Sequence, residues 1–393
     1  MTVRVSGAAA DAVAHHVPEL IANRFASRLG AGDATLWGSA AEPEASIRLG
    51  WVRASEVSRP LVADIVALRG EFIARGLTRV VLCGMGGSSL APEVITRTAG
   101  VDLVVLDSTH PTQVARVLDT AIEETIVVVS SKSGSTAETD SQKRAFEGAF
   151  VAAGIDPTTR IIIVTDPGSP LDVASREAGY RVFNADPTVG GRYSALTAFG
   201  LVPSGLAGVD IAELLDEADS VLDALLADSD SNDGLVLGAA MAGTKPRRDK
   251  IAIVSNKSSI VGIGDWIEQL VAESTGKEGS GVLPVVVEPD AADISVNDVL
   301  PVHIVDGDSA PLGDAVTVSA PLCAQLLIWK VATAVAGHLL GTNPFDQPDV
   351  ESAKIAARAF LDGTPEPAVP FAVDGDVELT SVGYSPAATT VAT

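Results

Sequence analysis

Cysteine is scarce in this sequence, which has only Cys83 and Cys323 among its 393 residues. Two cysteines cannot build a disulfide framework, which excludes a disulfide-stapled secreted domain and leads us to expect a reduced, cytoplasmic compartment. Positive charge is scarce too, because the chain has 27 Lys and Arg but 51 Asp and Glu, for a formal net charge of −24 at pH 7. Such an acidic surface repels phosphate backbones and anionic lipid, so we expect neither nucleic acid nor a membrane surface as a partner.

Long hydrophobic runs are also missing. The most apolar stretch, residues 324–340, is interrupted by Lys330 and His338. Because it falls short of the ~20 apolar residues that span a bilayer, we predict a buried globular helix there. The N-terminus has no apolar segment of the kind found in secretory signals. A disordered chain is excluded as well, because 47% of the residues are hydrophobic and disordered chains are poor in such residues.

Short apolar runs alternate with helix-length segments after an N-terminal part that has helical periodicity. The first series consists of residues 79–83, 102–107, 125–131, 160–166 and 180–184. A second, smaller series consists of residues 250–256, 282–288 and 299–305. Such Val- and Ile-rich runs between helices predict βαβ units and buried parallel sheets. In these sheets, ligands bind at the carboxyl ends of the strands.

Changes in composition divide the chain into segments. We predict an α/β protein with two tandem doubly wound parallel-sheet domains, a helical N-terminal segment and a C-terminal tail. The predicted boundaries are 1–75 for the N-terminal segment, 76–205 and 206–345 for the two sheet domains, and 346–393 for a C-terminal helix and tail.

A glycine-rich loop, GMGGSSLAP at Gly84–Pro92, directly follows the first predicted strand. Its glycines let backbone N–H groups approach a ligand closely, and the helix N-terminus that follows favours an anion. As a dinucleotide fingerprint the loop is imperfect, because Ser89 occupies the position of the third glycine. Asp107 nevertheless ends the second strand, where a ribose-binding acid would lie. An NAD-binding enzyme and a tight turn without any ligand therefore remain alternatives.

A hydroxyl-rich turn, Ser130–Thr136, follows the third predicted strand. Ser and Thr side chains, together with the free N–H groups of a helix N-terminus, can enclose a terminal phosphate monoester. A serine-rich turn is more often only a helix cap, which is the alternative here. This turn carries five hydroxyls and shares a sheet edge with the glycine loop, which favours phosphate binding.

Three further motifs carry residues that could take part in catalysis. In GGRYSALTAFG, two glycines precede Arg192, a fixed cation that could stabilise an oxyanion. Gln269 and Glu273 are four residues apart and share a helix face. Glu273 lies in the last turn of that helix, where the helix dipole disfavours a carboxylate. A carboxylate in this place is either a functional residue or an exposed acid. Gln347 and Lys354 are seven residues apart and also share a face.

Together these blocks resemble the phosphoglucose isomerase family, whose fold is two sugar-isomerase (SIS) domains. The resemblance covers roughly residues 75–360 in scattered blocks. The blocks are the glycine loop, SKSGST at 131–136, GGRYS at 190–194, QLVAESTGK at 269–277, and the stretch from Asn343 to Lys354. Each block is only moderately specific, and the order of all five is what identifies the family.

The resemblance implies a role for each block. The residues that would bind the sugar phosphate are Gly87, Ser88, Ser131, Lys132, Ser133 and Thr136. Glu273 would be the base that moves a proton between C1 and C2 through an enediolate, and Arg192 would stabilise the enediolate oxygen. Gln269 would bind the substrate as well. Gln347 and Lys354 would contact the ring oxygen and hydroxyls during ring opening.

The resemblance further implies an isomerase of glycolysis and gluconeogenesis that interconverts glucose 6-phosphate and fructose 6-phosphate. It implies a homodimer that needs neither a metal nor an organic cofactor. A non-catalytic sugar-phosphate-binding protein and an NAD-binding enzyme are the alternatives. The family also uses a histidine between the glutamate and the C-terminal signature. His303 and His338 lie in that stretch but outside the family's histidine motif, and we predict that both are core histidines.

Overall fold

The computed structural model describes residues 2–277, 279–288, 296–348, 352–353, 355–357, 369–375 and 377–380. By its internal contacts the chain divides into two units, Met1–Asp346 and Gln347–Thr393. The strands described in the first unit are β1 (Thr2–Val5), β2 (Arg79–Gly84), β3 (Val104–Leu106), β4 (Thr125–Ser130), β5 (Ile161–Thr165), β6 (Arg181–Asn184), β7 (Lys250–Lys257), β8 (Leu283–Val286), β9 (Val299–Val305) and β10 (Val316–Ser319).

The α-helices and 3-10 helices described in this unit lie between and around these strands. The α-helices are α1 (Ala8–Ala22), α2 (Phe25–Gly30), α3 (Glu42–Ala45), α4 (Ala54–Ser58), α5 (Leu61–Ala74), α6 (Leu90–Ala99), α7 (Pro111–Leu118), α8 (Ala137–Ala152), α9 (Pro170–Glu177), α10 (Ala198–Ala207), α11 (Ile211–Leu225), α12 (Asp233–Ala242), α13 (Ile263–Thr275) and α14 (Leu322–Leu340). The 3-10 helices are Ala34–Trp37, Gly50–Arg53, Gly86–Ser88, Ile122–Glu124, Pro157–Thr159 and Gly191–Leu196.

The first sheet consists of five parallel strands in the order β3-β2-β4-β5-β6. Alternate residues of β4 lie in two separate hydrophobic cores. Ile126 and Val128 belong to the larger core, whereas Val127 and Val129 belong to a smaller one with Phe146 of α8. Because the sheet is covered on both faces, its strands are continuous apolar runs, which is why the sequence pattern predicts them.

The strand order reverses between β2 and β4, since β3 is added on one side of β2 and the later strands on the other. Doubly wound sheets bind ligands at this switch point, outside the carboxyl ends of the strands. Gly84 and Ser130, the last residues of the two strands, are paired in register. The glycine loop and the hydroxyl-rich turn therefore leave the sheet side by side, from strands about 4.8 Å apart.

The second sheet has the order β1-β10-β9-β7-β8, so its parallel strands β8-β7-β9-β10 repeat the arrangement of β3-β2-β4-β5. The predicted class, α/β with two tandem parallel-sheet domains, is confirmed. One expectation is corrected, because residues 2–5 are not helix or loop but an edge strand, with Thr2 paired to Ser319 in antiparallel orientation. The Val3 N–H donates to the Asp233 carboxylate at 2.7 Å. The partner of β1 lies more than 300 residues later in the chain, and local periodicity carries no information about such a pairing.

Helix α14 lies in the core of the first unit. Within the described residues it is the one helix long and apolar enough to cross a membrane by length and composition, and 83% of its apolar window is buried inside the protein. Lys330, near its middle, is fully buried. The predicted buried helix at residues 324–340 is confirmed.

The second unit is described in part. Its strand β11 (Ala372–Asp374) pairs with β12 (Val377–Leu379) in antiparallel orientation. Gln347 is the first residue of this unit, and Lys354 lies outside the described residues. The domain boundaries given above stay a prediction.

Candidate functional site

The glycine loop packs against two other segments of the first unit. A Cβ at Gly86, whose φ is +54°, would lie 2.6 Å from Nε2 of Gln269. A Cβ at Gly87 would lie 2.4 Å from the carbonyl oxygen of Gly191. The positive φ favours glycine at position 86, where the Gln269 side chain could move aside, whereas at position 87 the close atom is backbone and only glycine allows so close an approach. Ser88 lies beside Gly87 and is half-buried, as Gly87 is.

Arg192 is held rigidly in the 3-10 turn Gly191–Leu196, with 2% of its surface exposed. Its Nε donates to Oγ of Ser274 at 2.7 Å. Its Nη2 donates to the carbonyl oxygens of Pro344 at 2.7 Å and Asp346 at 3.1 Å. Its Nη1 lies 3.4 Å from Oε2 of Glu273. All three guanidinium nitrogens are therefore engaged, which fixes one cation next to one carboxylate.

Glu273 projects from the last turn of α13, and its side chain is 31% exposed. Nε2 of Gln269, one turn earlier, donates to Oε1 of Glu273 at 3.0 Å, so the two side chains lie on one helix face. The helix dipole disfavours a carboxylate at this end, and the Arg192 guanidinium compensates. The carboxylate is thus oriented by two neighbours while part of it stays accessible, as a general base requires.

The hydroxyl-rich turn is held by its own side chains. Oγ of Ser131 donates to Oγ1 of Thr136 at 3.0 Å. The backbone N–H and the hydroxyl of Ser135 donate to Oγ of Ser133, at 3.3 and 3.1 Å. Thr136 is the N-cap residue of α8, but its side chain makes no capping hydrogen bond. The side chain of Thr136 therefore does not cap this helix, contrary to the alternative given above. The first N–H groups of α8 are left without a side-chain cap, as they must be if they are to bind an anion.

Lys132 lies in the same turn but is paired with an acid. Its Nζ lies 2.5 Å from Oδ2 of Asp166 and donates to the carbonyl oxygen of Pro187 at 3.4 Å. Burial raises the pKa of Asp166, an effect that the Lys132 ammonium opposes. Asp166 was missed from the sequence, although its position at the carboxyl end of β5 is the signal that could have identified it.

Direct contacts link four of the predicted residues, namely Gly87, Arg192, Gln269 and Glu273. The hydroxyl-rich turn follows β4, which pairs with β2, so it leaves the sheet beside the glycine loop. Gln347 belongs to the second unit, and Lys354 is outside the described residues. The arrangement pairs a carboxylate with a fixed cation, and an uncapped helix N-terminus lies at the same sheet edge. Such a set of groups could support proton transfer next to a carbonyl of a phosphorylated substrate.

Further residues that support the site were assigned no catalytic or binding role from the sequence. Ser274 accepts from Arg192, and the buried hydroxyl of Tyr193 lies 3.3 Å from Oγ of Ser274. Burial raises the pKa of Tyr193 to about 12. Nζ of Lys277 donates to the carboxylate of Asp346. These residues stand inside the quoted motifs, but only the fold shows what they contact.

The two histidines considered above, His303 and His338, have different surroundings. Nδ1 of His338 lies 2.6 Å from the carbonyl oxygen of Leu36, and its ring contacts that of Phe25. His303 is in β9 and half-buried. Burial, with a smaller effect of Lys257, lowers the pKa of His303, which favours the neutral ring. His338 has the bonding of a structural histidine.

Known proteins share sequence similarity with this chain. The family model described as phosphoglucose isomerase matches residues 67–281. A curated relative from Haloarcula marismortui, named “Probable glucose-6-phosphate isomerase”, is 34% identical over 210 residues, which are 52% of this chain and 48% of the relative. The chain spans about half the length of the curated relatives that it matches.

Solved structures resemble the fold over most of the chain. A hypothetical protein from Thermus thermophilus matches with a TM-score of 0.75 at 22% identity, covering 92% of this chain and 100% of that one. A glucose-6-phosphate isomerase from Chlamydia trachomatis matches with a TM-score of 0.66 at 20% identity, covering 80% of this chain and 78% of that one. At these identities the likeness concerns the fold, two tandem SIS-type domains.

Proposed function

We propose that this chain, which belongs to the phosphoglucose isomerase family, interconverts glucose 6-phosphate and fructose 6-phosphate. The observation that carries the proposal is the pairing of Glu273 with Arg192. A partly exposed carboxylate lies 3.4 Å from a guanidinium whose other nitrogens are all engaged. A binding protein needs no such base, whereas an isomerase needs both a base and a fixed cation.

In the proposed reaction, the Glu273 carboxylate takes the C2 proton of open-chain glucose 6-phosphate. The electron pair of that C–H bond forms the C1–C2 double bond of an enediolate, whose negative oxygen faces Arg192. Glu273 then returns the proton to C1, while the hydroxyl proton passes from O2 to O1, which yields fructose 6-phosphate. A guanidinium that is already oriented stabilises the enediolate without reorganising during the step.

The phosphate group anchors the substrate in this proposal. Hydroxyls of Ser131, Ser133 and Thr136, with the uncapped N–H groups of α8, would receive it. Lys132 would share its charge between Asp166 and the phosphate. We further propose, on the family resemblance, that Gln347 and Lys354 assist ring opening.

The experiment is a coupled isomerase assay on the wild type and on Glu273→Gln, which keeps the shape of the side chain and removes the base. Loss of a general base costs about 10²–10⁴ in rate. We therefore expect kcat to fall by that factor while fructose 6-phosphate still binds, and exchange of its transferred proton with solvent to stop. Glu268→Gln is the matched control, since Glu268 is an exposed acid on the same helix. A wild type that binds fructose 6-phosphate but isomerises neither sugar would overturn the proposal in favour of a binding protein.

The assembly and location of the protein are proposals as well. We propose a homodimer in the cytoplasm, on the family resemblance, with no nucleic-acid or membrane partner, on the net charge of −24. Light scattering on the purified protein measures its subunit number directly.

A further inference from the structure

Lys277 lies just beyond the end of α13, two residues after its last residue Thr275. It is 7% exposed, which is unusual for a lysine. Its Nζ donates to the carbonyl oxygen of Asn343, to the carboxylate of Asp346, and to the carbonyl oxygen of Asp346 at 3.0 Å. The ammonium therefore holds the segment 343–346 at both of its ends.

The same segment supplies the acceptors of Arg192. Nη2 of Arg192 donates to the carbonyl oxygen of Pro344 at 2.7 Å and to that of Asp346 at 3.1 Å. One oxygen atom, the carbonyl oxygen of Asp346, thus accepts from both cations. A movement of this segment would move the guanidinium, and with it the Nη1 that lies 3.4 Å from Glu273.

The arrangement is unfavourable for Lys277 by itself. Burial lowers the pKa of Lys277, and the neighbouring Arg192 lowers it too, whereas Asp346 and Glu273 raise it. Two cations buried close together are costly unless their hydrogen bonds are well satisfied. An apolar side chain of similar volume often stabilises such a buried position as well as a lysine does, so stability by itself does not account for the hydrogen bonds of Lys277.

We propose that Lys277 is a positioning residue for the isomerisation: it fixes the segment 343–346 and, through that segment, the guanidinium of Arg192 opposite Glu273. This inference rests on the proposed function for the role of Arg192. Its contact with the segment, however, does not depend on which reaction is catalysed.

The first test compares Lys277→Met, Lys277→Gln and Lys277→Arg with wild type in the isomerase assay. A displacement of about 1 Å at a catalytic group can cost roughly 10² in rate. We expect Lys277→Met and Lys277→Gln to lower kcat about 30- to 100-fold, with KM changed less than about threefold. Lys277→Arg keeps the charge and the donors and should recover most of kcat. Lys257→Met is the control, since Lys257 is exposed and outside the site, and it should behave as wild type.

The second test asks whether Lys277 acts through Arg192. In an Arg192→Ala background, Lys277→Met should lower kcat by less than about threefold further, because the group that it positions is gone. Fully multiplicative losses in the double variant would mean that the two residues act independently, and would overturn the proposal.

The third test needs no turnover. The Nε–H of Arg192 donates to the buried Ser274 hydroxyl, so its exchange with solvent, measured by NMR of arginine side chains, should be slow in wild type. Lys277→Met or Lys277→Gln should speed this exchange at least tenfold, and Lys277→Arg should not. Unchanged exchange in a folded variant would overturn the proposal. If the wild type fails to isomerise either sugar phosphate, the proposed function fails, but this measurement still decides whether Lys277 holds Arg192.

Discussion

The substitution Gly87→Ala tests whether the glycine loop positions Arg192. The added Cβ would lie 2.4 Å from the Gly191 carbonyl oxygen and 2.9 Å from the Arg192 backbone nitrogen, whereas ordinary contact begins at 3.4 Å. Both close atoms belong to the backbone, which cannot rotate away as a side chain can. The two segments must therefore separate by roughly 1 Å, and a misplacement of this size at a catalytic group costs about 10² in rate.

The expected result is a large loss of turnover with a moderate loss of stability. We expect kcat for fructose 6-phosphate to fall about 100-fold in the coupled assay. Overpacking should lower the free energy of unfolding by about 1–3 kcal/mol, measured by urea denaturation. Gly148→Ala is the matched control, because Gly148 is in the middle of α8 and its added Cβ would meet nothing within 4 Å. That variant should keep wild-type kcat and gain about 0.5–1 kcal/mol of stability.

Two outcomes would refute the reasoning. Wild-type kcat in a folded Gly87→Ala variant would mean that the loop can separate from Gly191 without moving Arg192. An equal loss of kcat in Gly148→Ala would mean that the assay responds to any added methyl group in this domain.

Two further predictions concern the phosphate site and the core. In the double variant Ser133→Ala with Thr136→Ala, KM for fructose 6-phosphate should rise strongly, because each lost hydrogen bond to the phosphate is worth about 1.5–3 kcal/mol. The melting temperature without ligand should hardly change. An unchanged affinity for fructose 6-phosphate would contradict a role of these hydroxyls in binding. Burial lowers the pKa of Lys330 from 10.5 to about 7, so the unfolded chain binds more protons between these values and stability rises with pH across that window. Lys330→Met should remove this pH dependence and raise the free energy of unfolding at pH 6.5 by several kcal/mol. The gain is on the order of 1.4 kcal/mol for each pH unit by which the pKa of Lys330 differs between the folded and the unfolded chain. Urea denaturation at pH 6.5 and 9.5 would disprove this if the pH slope of the wild type persisted in the variant.

The central strands could be predicted from the sequence because each is buried on both faces. Strands such as β4 and β5 are unbroken runs of apolar, mostly β-branched residues, a pattern that parallel sheets require. The structure shortens several of the predicted runs by a residue or two at one or both ends, where the chain turns into loops. The strand β1 could not be predicted in this way, because its place depends on pairing with β10, more than 300 residues later in the chain.

Contacts between distant segments account for most of what the sequence could not predict about the site. Arg192 and Ser274 are 82 residues apart, Lys277 and Asp346 are 69 apart, and Lys132 and Asp166 are 34 apart. Local periodicity shows which residues share a face of one helix, as it does for Gln269 and Glu273. It carries no information about which partner a side chain meets across the fold.

The glycine loop shows how a motif can have neighbours in the fold that its own sequence does not reveal. Its glycines predict that something approaches the backbone closely, and from the sequence alone that neighbour is expected to be the ligand. In the structure, Gly86 and Gly87 are approached by Gln269 and by the Gly191–Arg192 backbone. Their missing side chains bring together the elements that hold Glu273 and Arg192, while the proposed anion site lies at the neighbouring turn, Ser131–Thr136. In this fold, therefore, the glycine motif marks the candidate site because it lets the elements that carry Glu273 and Arg192 come together.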